Sequence, residues 1–272
     1  MKIKFYGTRG STPVCDRDFL EFGGNTTSIK ITQDDGRICI CDAGSGIRNL
    51  GRDLLNDGLQ QPELFICFTH FHWDHIQGFP FFAPAYNPNM IINIHALGKD
   101  REITNLEGIF EGQMKAEYFP VPLESMGATF NFLQLDQTVL KIHDAEFRVI
   151  KQNHPGGSYG YRVEDNEKSV VICTDIEHGN SVLPEIVEFC KNADLLVHEA
   201  QYTSEELESH RGWGHSSYDQ AIEVAEKAGV KKLAITHHDP EHNDTFLAKI
   251  ERECQKRYPS CVLARENMEI IL

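Results

Sequence analysis

Four side chains that commonly bind metal ions lie between residues 70 and 75: His70, His72, Asp74 and His75. A single histidine is most often an ordinary core or surface residue. Four such groups at one place are different, because burying them together costs free energy unless positive charge compensates them. A divalent metal ion supplies that charge. Imidazole together with carboxylate suits zinc, with iron or manganese as alternatives.

The spacing within this segment indicates two adjacent ions. The apolar run at residues 63–68 predicts a buried strand that ends just before the cluster. His70 and His72 are two positions apart, so in an extended chain their side chains point the same way. Asp74 and His75 follow, where the strand gives way to a turn. One loop can therefore supply two ions, and two ions about 3.5–4 Å apart clamp the attacking and leaving oxygens of a displacement.

Other histidine and aspartate residues also follow apolar segments that are predicted to be strands. The carboxyl ends of strands are where α/β sheets place their sites. Taken alone, each of these residues is more typical of an ordinary polar loop, but together with the cluster at 70–75 they favour a metal site. They are Asp42, His154, Asp175 and His237, with His238 as the nearest alternative to His237.

The order of these residues between positions 42 and 237 resembles the five motifs of the metallo-β-lactamase superfamily. The resemblance implies an α/β fold (α+β in some schemes), a four-layer αβ/βα sandwich. It also implies two metal ions with Asp175 bridging them, and Asp42 holding a ligand histidine in its metal-binding tautomer. The implied ligands are His70, His72 and His154 for one ion and Asp74, His75 and His237 for the other.

Two further segments, 198–200 and 214–217, resemble ribonuclease Z and its phosphodiesterase relatives within this superfamily. The resemblance implies that His215 donates a proton or stabilises charge on phosphoryl oxygens, with Glu199 as its partner. Asp74 or Asp175 would orient the attacking water or accept its proton. From the residues alone, His215 could equally be a neighbour of the N-cap of a following helix.

The chain departs from the ribonuclease Z pattern between His154 and Asp175. The tRNA-processing members insert a long Gly/Pro-rich arm there, and this chain has no room for one. The segments at 7–11 and 23–27 also resemble those of the cyclic-phosphate phosphodiesterase branch. We therefore expect a dinuclear metal phosphodiesterase that hydrolyses a small, cyclic phosphodiester such as a cyclic nucleotide. A tRNA 3′-processing endoribonuclease and a non-catalytic nucleotide-binding metalloprotein are the alternatives.

The composition limits which binding partners and which cellular compartment are expected. The net charge is −15, which counts against a large nucleic-acid substrate because binding a polyanion requires a basic face. No apolar run approaches the ~20 residues of a membrane span, and the N-terminus carries no signal-peptide pattern. The 8 cysteines form no C-x-x-C pair and mostly lie in apolar runs, as expected for reduced thiols. We expect a cytoplasmic protein with no membrane partner.

The remaining pattern predicts one domain over residues 1–272, with two face-packed sheets covered by helices. Residues 76–127 are the least regular part of the sequence and include an aromatic and proline-rich insert at about 79–122. We expect this insert to close over the site or to pack on a second chain in a homodimer. We also expect it to offer a base-stacking surface, with these candidates: Phe81, Phe82, Tyr86, Tyr118 and Phe119.

Overall fold

Two seven-stranded sheets face each other in the computed structural model, which describes residues 1–59 and 61–272. Within these ranges the strands are, in chain order, β1 (Lys2–Gly7), β2 (Ser28–Thr32), β3 (Ile38–Cys41), β4 (Glu63–Cys67), β5 (Ile91–Leu97), β6 (Thr129–Leu135), β7 (Val139–Ile142), β8 (Ala145–Gln152), β9 (Ser158–Asp165), β10 (Lys168–Cys173), β11 (Leu195–Glu199), β12 (Lys232–Thr236), β13 (Cys261–Leu263) and β14 (Glu269–Ile271). The α-helices are α1 (Ile47–Asn56), α2 (Trp73–Ile76), α3 (Leu106–Gln113), α4 (Pro184–Phe189), α5 (Ser204–Ser209), α6 (Tyr218–Ala228) and α7 (Asp244–Arg257), and short 3-10 helices lie at Arg17–Phe19, Phe79–Phe81, Ala83–Tyr86 and Leu123–Ser125.

The strand order brings several strand ends to one edge of each sheet. The first sheet has the order β14-β1-β2-β3-β4-β5-β6 and the second has the order β13-β12-β11-β10-β9-β8-β7. Strands β3 to β6 are parallel to one another, as are β10 to β13. The carboxyl ends of parallel strands share an edge, so side chains that follow different strands meet there.

The central strands are apolar on both faces because each sheet is covered twice. In β10, Val170 and Ile172 pack between the two sheets, whereas Val171 and Cys173 pack against the outer helices. This alternation follows from the two-residue period of a strand. Helices α1 and α3 cover the first sheet, and α4, α6 and α7 cover the second. The predicted four-layer αβ/βα sandwich is thereby confirmed.

Residues 76–127 have the least regular sequence pattern, yet β5 and α3 lie in this segment. Strand β5 pairs with β4 on one side and with β6 on the other. A polar ladder crosses these three strands: Asn93 donates to Glu63 at 2.8 Å, and Asn131 donates to the Asn93 side-chain oxygen at 2.9 Å. The part of the expected insert from β5 to α3 therefore belongs to the first sheet and its covering layer.

The cysteines behave as the sequence predicts. Cys15 is exposed, the other seven are buried, and all are free thiols. Among the helices in the described ranges, none combines the length and the apolar character that a membrane crossing would require.

Phe110 on α3 joins the segment at 79–122 to the first sheet. Its ring is buried and packs against Phe68 at 5.4 Å, Phe79 at 4.6 Å and Phe132 at 5.7 Å between ring centroids. We expect Phe110→Ala to lower the free energy of unfolding by about 3–5 kcal/mol in urea titrations, since it removes a large core side chain.

Tyr118 in the same segment provides the control for this experiment. Its side chain is 73% exposed on the single chain, so Tyr118→Ala should change the free energy of unfolding of the monomer, measured at a concentration where the chain is monomeric, by no more than about 0.5 kcal/mol. Equal losses in the two variants would contradict the anchoring role of Phe110.

Candidate active site

The predicted metal-binding side chains meet where strands of both sheets end. His70 and His72 follow β4, His154 follows β8, Asp175 follows β10 and His237 follows β12, while Asp74 and His75 lie on α2. Their donor atoms form two groups, and within each group all of these atoms lie within 4.8 Å of one another. The first group is His70, His72 and His154, and the second is Asp74, His75, Asp175 and His237.

Three of the site residues that follow strands have left-handed backbone conformations. Asp42, Asp175 and His237 have φ angles of 61°, 59° and 60°. Non-glycine residues adopt this conformation at a cost of about 1–3 kcal/mol each, and such residues cluster at functional sites. Here the conformation turns the chain sharply after β3, β10 and β12. The strain is therefore located where the side chains must point back into the cleft.

Asp175 lies between the two groups of donor atoms. Its Oδ2 is 3.1 Å from Nε2 of His75, and its Oδ1 is 3.4 Å from Nε2 of His237. The same Oδ1 is 3.7 Å from Nε2 of His70 and 3.9 Å from Nε2 of His154. A carboxylate that reaches both groups in this way has the geometry required of a bridge between two ions.

Asp42 and Thr69 orient two of the histidines. Nδ1 of His75 is 2.8 Å from Oδ2 of Asp42, and a carboxylate can only accept, so this nitrogen carries the proton. The Thr69 hydroxyl donates to Asp42 at 2.8 Å and lies 3.1 Å from Nδ1 of His70, so that nitrogen also donates. In both rings Nε2 is left with a lone pair that faces the cluster.

His154 is held in the same tautomer by a backbone group. Its Nδ1 donates to the Gly214 carbonyl oxygen at 2.9 Å, and its Nε2 lies 3.1 Å from Nδ1 of His72. The buried atoms Nε2 of His70, Nε2 of His75 and Oδ2 of Asp175 make no hydrogen bond among the described residues. Buried polar atoms without partners, aimed at one another, are satisfied by a cation, so the residues present fit two divalent ions.

The protonation states also fit a cation. Burial lowers the pKa of both His70 and His154, which favours the neutral, metal-binding imidazole. Burial raises the pKa of Asp175, but the neighbouring histidines outweigh it and hold the pKa well below its usual range. At His75, burial lowers the pKa, yet Asp175, Asp74 and Asp42 raise it well above its usual value. The carboxylates therefore favour a positive charge beside the second group of donor atoms.

His215 lies at the border of both groups and is paired with Glu199. Nδ1 of His215 is 3.5 Å from Oε1 of Glu199, and its ring lies 5.2 Å from that of His237. Backbone N–H groups of Ile176 and Ser216 donate to the same Glu199 oxygen at 3.1 Å and 2.8 Å, which fixes the carboxylate. Burial lowers the pKa of His215, but Glu199 outweighs it and raises the pKa to about 9.

Several residues that shape this site are not predicted from the sequence. The Ser11 backbone N–H donates to Asp74 at 2.9 Å, so the loop after β1 supports a cluster residue. Gly10 and Gly214 allow close approach, because an added Cβ would lie 2.3 Å from Nδ1 of His237 and 2.2 Å from Nδ1 of His154. The glycine-rich segments were visible in the sequence, but their contacts depend on the tertiary fold.

The other histidines lie outside the cluster. His238, the alternative to His237, has Nε2 2.9 Å from the carbonyl oxygen of Ala264 instead. His178 and His198 form a buried pair with 3.1 Å between their Nε2 atoms. Burial lowers the pKa of His178 to about 3, which keeps this pair neutral.

The aromatic residues expected to stack on a substrate have different environments. Phe82 is buried in the core beneath the first sheet, so its predicted stacking role is wrong. The Tyr86 hydroxyl donates to the Pro80 carbonyl oxygen at 2.7 Å. Phe81 remains 55% exposed and contacts Phe119 edge-on, with ring centroids 5.4 Å apart.

Comparison with known proteins places this site in a family context. The sequence profile described as "Beta-lactamase superfamily domain" matches residues 37–238. Ribonuclease Z from Haloarcula marismortui is 24% identical over an alignment of 318 residues, which covers 99% of this chain and 96% of that protein. The metallo-beta-lactamase fold protein YhfI from Bacillus subtilis superposes with a TM-score of 0.72 at 19% identity, covering 99% of both chains. A diphosphatase from the PhnP family gives 0.71 at 18% identity, covering 100% of this chain and 97% of that one.

The metal content tests the assignment of the ligands. Purification without chelator should give about two equivalents of divalent metal per chain by elemental analysis. His154→Ala and His237→Ala should each deplete one site, and Asp175→Ala should deplete both. The matched control is His238→Ala, which should keep both ions. A full metal complement in the Asp175→Ala protein would contradict the bridging role.

Asp42 gives a separate prediction, because it touches the cluster only through His75 and Thr69. We expect Asp42→Asn to weaken metal affinity about 10–100-fold in competition titrations with a chelator, since the amide no longer enforces the tautomer. Asp165→Asn is the matched control, as Asp165 is also buried and also accepts a backbone N–H, from Asp34 at 2.8 Å. The interpretation fails if both variants lose affinity alike.

Proposed function

The chain belongs to the β-lactamase superfamily, and on that premise we propose that it is a metal-dependent phosphodiesterase acting on a small, cyclic phosphodiester such as a cyclic nucleotide. The observation that carries this proposal is the position of His215. Its ring lies beside both groups of metal-binding side chains and is paired with Glu199. Phosphodiester hydrolysis needs such a group, because negative charge develops on the phosphoryl and leaving oxygens.

The seven clustered side chains would hold the two ions, with zinc as the first candidate and manganese or iron as alternatives. Together the ions would supply Lewis acidity, lower the pKa of the attacking water and neutralise phosphoryl charge. The chain's own contribution is to fix the ligands. Asp42, Thr69 and Gly214 do this by holding imidazole protons away from the cleft.

Asp74 and His215 have complementary roles in moving protons. Both line one cavity of about 410 Å³, together with Asp175 and Ser11. Asp74 is ionised, because burial raises its pKa but His75 and His237 outweigh this and hold the pKa far below its usual range. It can therefore orient the attacking water or accept its proton. The Glu199 partner keeps a proton on His215, which can pass to the leaving oxygen.

A small substrate is favoured by what lies between His154 and Asp175. Strands β9 and β10 fill this stretch as a tight antiparallel hairpin, so it contains no arm for a folded RNA. The net charge of −15 argues in the same direction, because a polyanion would be repelled except at the metal centre.

One observation favours a second candidate function, tRNA 3′ processing. The relative from Haloarcula marismortui is named ribonuclease Z and aligns with almost the whole chain. A third reading, a nucleotide-binding metalloprotein without catalysis, would leave the His215–Glu199 pair without a chemical purpose, since only this pair lies outside the proposed metal ligands.

A hydrolysis panel on the metal-loaded protein separates these functions. It should contain 3′,5′- and 2′,3′-cyclic nucleotides, cyclic dinucleotides, a cyclic ribose phosphate and a precursor tRNA, with metal analysis on the same sample. We expect turnover of a cyclic compound and none of precursor tRNA. Preferred cleavage of precursor tRNA would establish the second function, and tight nucleotide binding without turnover would establish the third.

His215→Ala tests the proton-donor role. The variant should retain both metals but lose about 10²–10⁴-fold in kcat on an unactivated phosphodiester. The loss should be smaller with a nitrophenyl leaving group, which needs less protonation. The control is His143→Asn, in an exposed turn outside the cluster, which should leave kcat unchanged. Equal losses on both substrates would instead indicate charge stabilisation, and no loss would return His215 to a structural role.

We also propose that the protein forms a symmetric homodimer that covers the exposed rings of Phe81 and Tyr118. Exposed aromatic surface is costly, and a two-fold interface buries the same patch on both chains. Light scattering at micromolar concentration should therefore give twice the chain mass, and a double substitution of both residues by serine should give the single mass. A monomeric parent protein would refute the dimer.

A further inference from the structure

The chain contains only 2 tryptophans, Trp73 and Trp213, and both are exposed next to the candidate active site. Their exposed fractions are 65% and 61%. Tryptophan usually buries most of its large apolar surface, so an exposed indole calls for an explanation. Trp73 stands between His72 and Asp74, and Trp213 stands two positions before His215.

Trp73 forms part of the wall of the reaction cavity. It opens α2 and lines the cavity of about 410 Å³ that also contains Asp74, Asp175 and His215. A volume of this size falls within the range of about 300–1,000 Å³ typical of small-molecule sites. The cavity therefore combines charged candidate metal ligands with the exposed indole of Trp73.

Phe71 is the other aromatic residue of this wall, but its ring is already engaged. It stacks on Phe68 with ring centroids 5.3 Å apart and meets Phe110 at 6.3 Å. The Trp73 ring makes no aromatic or cation–π contact with any other described residue. Trp73 is therefore the aromatic surface of the cavity that is available to a ligand.

Trp213 lacks this placement despite its similar exposure. Its ring packs edge-on against His210 with centroids 4.9 Å apart, and His210 stacks on Tyr202 at 4.4 Å. It is not among the residues that line the reaction cavity. Trp213 therefore provides a control of the same residue type at a similar distance along the chain from a site histidine.

We propose that Trp73 is the base-stacking residue of the substrate site. The phosphodiester lies against the metal-binding cluster and the aromatic base lies on the exposed face of the Trp73 indole. Stacking tolerates any base because every base has a π-face. This inference rests on the proposed phosphodiesterase function and narrows it to nucleotides, since a cyclic ribose phosphate without a base would lose the contact.

Tryptophan fluorescence reports directly on the stacking of a base against the Trp73 indole. In the metal-loaded Trp213→Phe protein, Trp73 is the only indole, so adenosine 5′-monophosphate should quench its emission in a saturable way. Ribose 5-phosphate carries the same sugar and phosphate without a base, and it should not quench. In the Trp73→Phe protein, where only Trp213 remains, adenosine 5′-monophosphate should leave the emission unchanged.

Affinity and kinetics give the second measurement. Trp73→Leu should weaken adenosine 5′-monophosphate binding by about 5- to 150-fold in calorimetry and leave ribose 5-phosphate binding unchanged. The KM for the cyclic nucleotide should rise by a similar factor with little change in kcat. Trp73→Phe should restore most of the affinity, Trp213→Leu should behave as the parent protein, and all variants should keep the parent metal content.

Two results would overturn the inference. One is equal binding of adenosine 5′-monophosphate by the parent and Trp73→Leu proteins. The other is an unchanged emission in the Trp213→Phe protein while cyclic nucleotides are still hydrolysed, which would leave the proposed function standing. Quenching of Trp73 without hydrolysis of any phosphodiester would support the stacking site and overturn the proposed function instead.

Discussion

The compensation of buried charge at one edge of the two sheets is the constraint on which the rest of the structure depends. Two buried carboxylates, Asp74 and Asp175, share a cleft with five imidazoles, of which four are buried and His72 is exposed, and several of the distances between these groups are under 4 Å. Buried charge without compensation costs several kcal/mol per ion. Protonated histidines could provide the positive charge, but burial opposes this at His70 and His154. A pair of divalent ions would satisfy all of these groups together.

Meeting that constraint requires the whole sandwich, because no single element carries a complete ligand set. The loop after β4 contributes side chains to both groups of donor atoms, and the second sheet contributes the rest from three separate strand ends. The left-handed residues Asp42, Asp175 and His237 carry the associated strain. Hydrophobic burial on both faces of each sheet provides the free energy that holds them in this conformation. The apolar layers are therefore a condition for the chemistry of the cleft.

Most of this architecture could be predicted from the sequence because its signals are local. The central strands are continuous apolar runs, and the predicted ligands stand directly at their ends. Strand β5 could not be recognised in the same way. Its Asn93 interrupts the apolar pattern and is satisfied only by Glu63 and Asn131 on the neighbouring strands. The supporting contacts of Ser11 and Gly214 could not be predicted either, because they join segments that are distant in sequence.

Aromatic content in the sequence does not by itself distinguish the rings that fill the core from the rings that can meet a substrate. The segment at 79–122 is rich in aromatic residues, but Phe82 and Phe110 serve the core. Trp73 lies inside the segment at 70–75, and nothing in the sequence alone indicates that its ring lines the cavity. Its position is fixed by the loop that fixes His72 and Asp74, whereas its ring takes no part in the hydrogen bonds that orient the ligands. A change at Trp73 can therefore alter which substrate is held without altering the metal geometry, so one loop can keep its chemistry while its specificity changes.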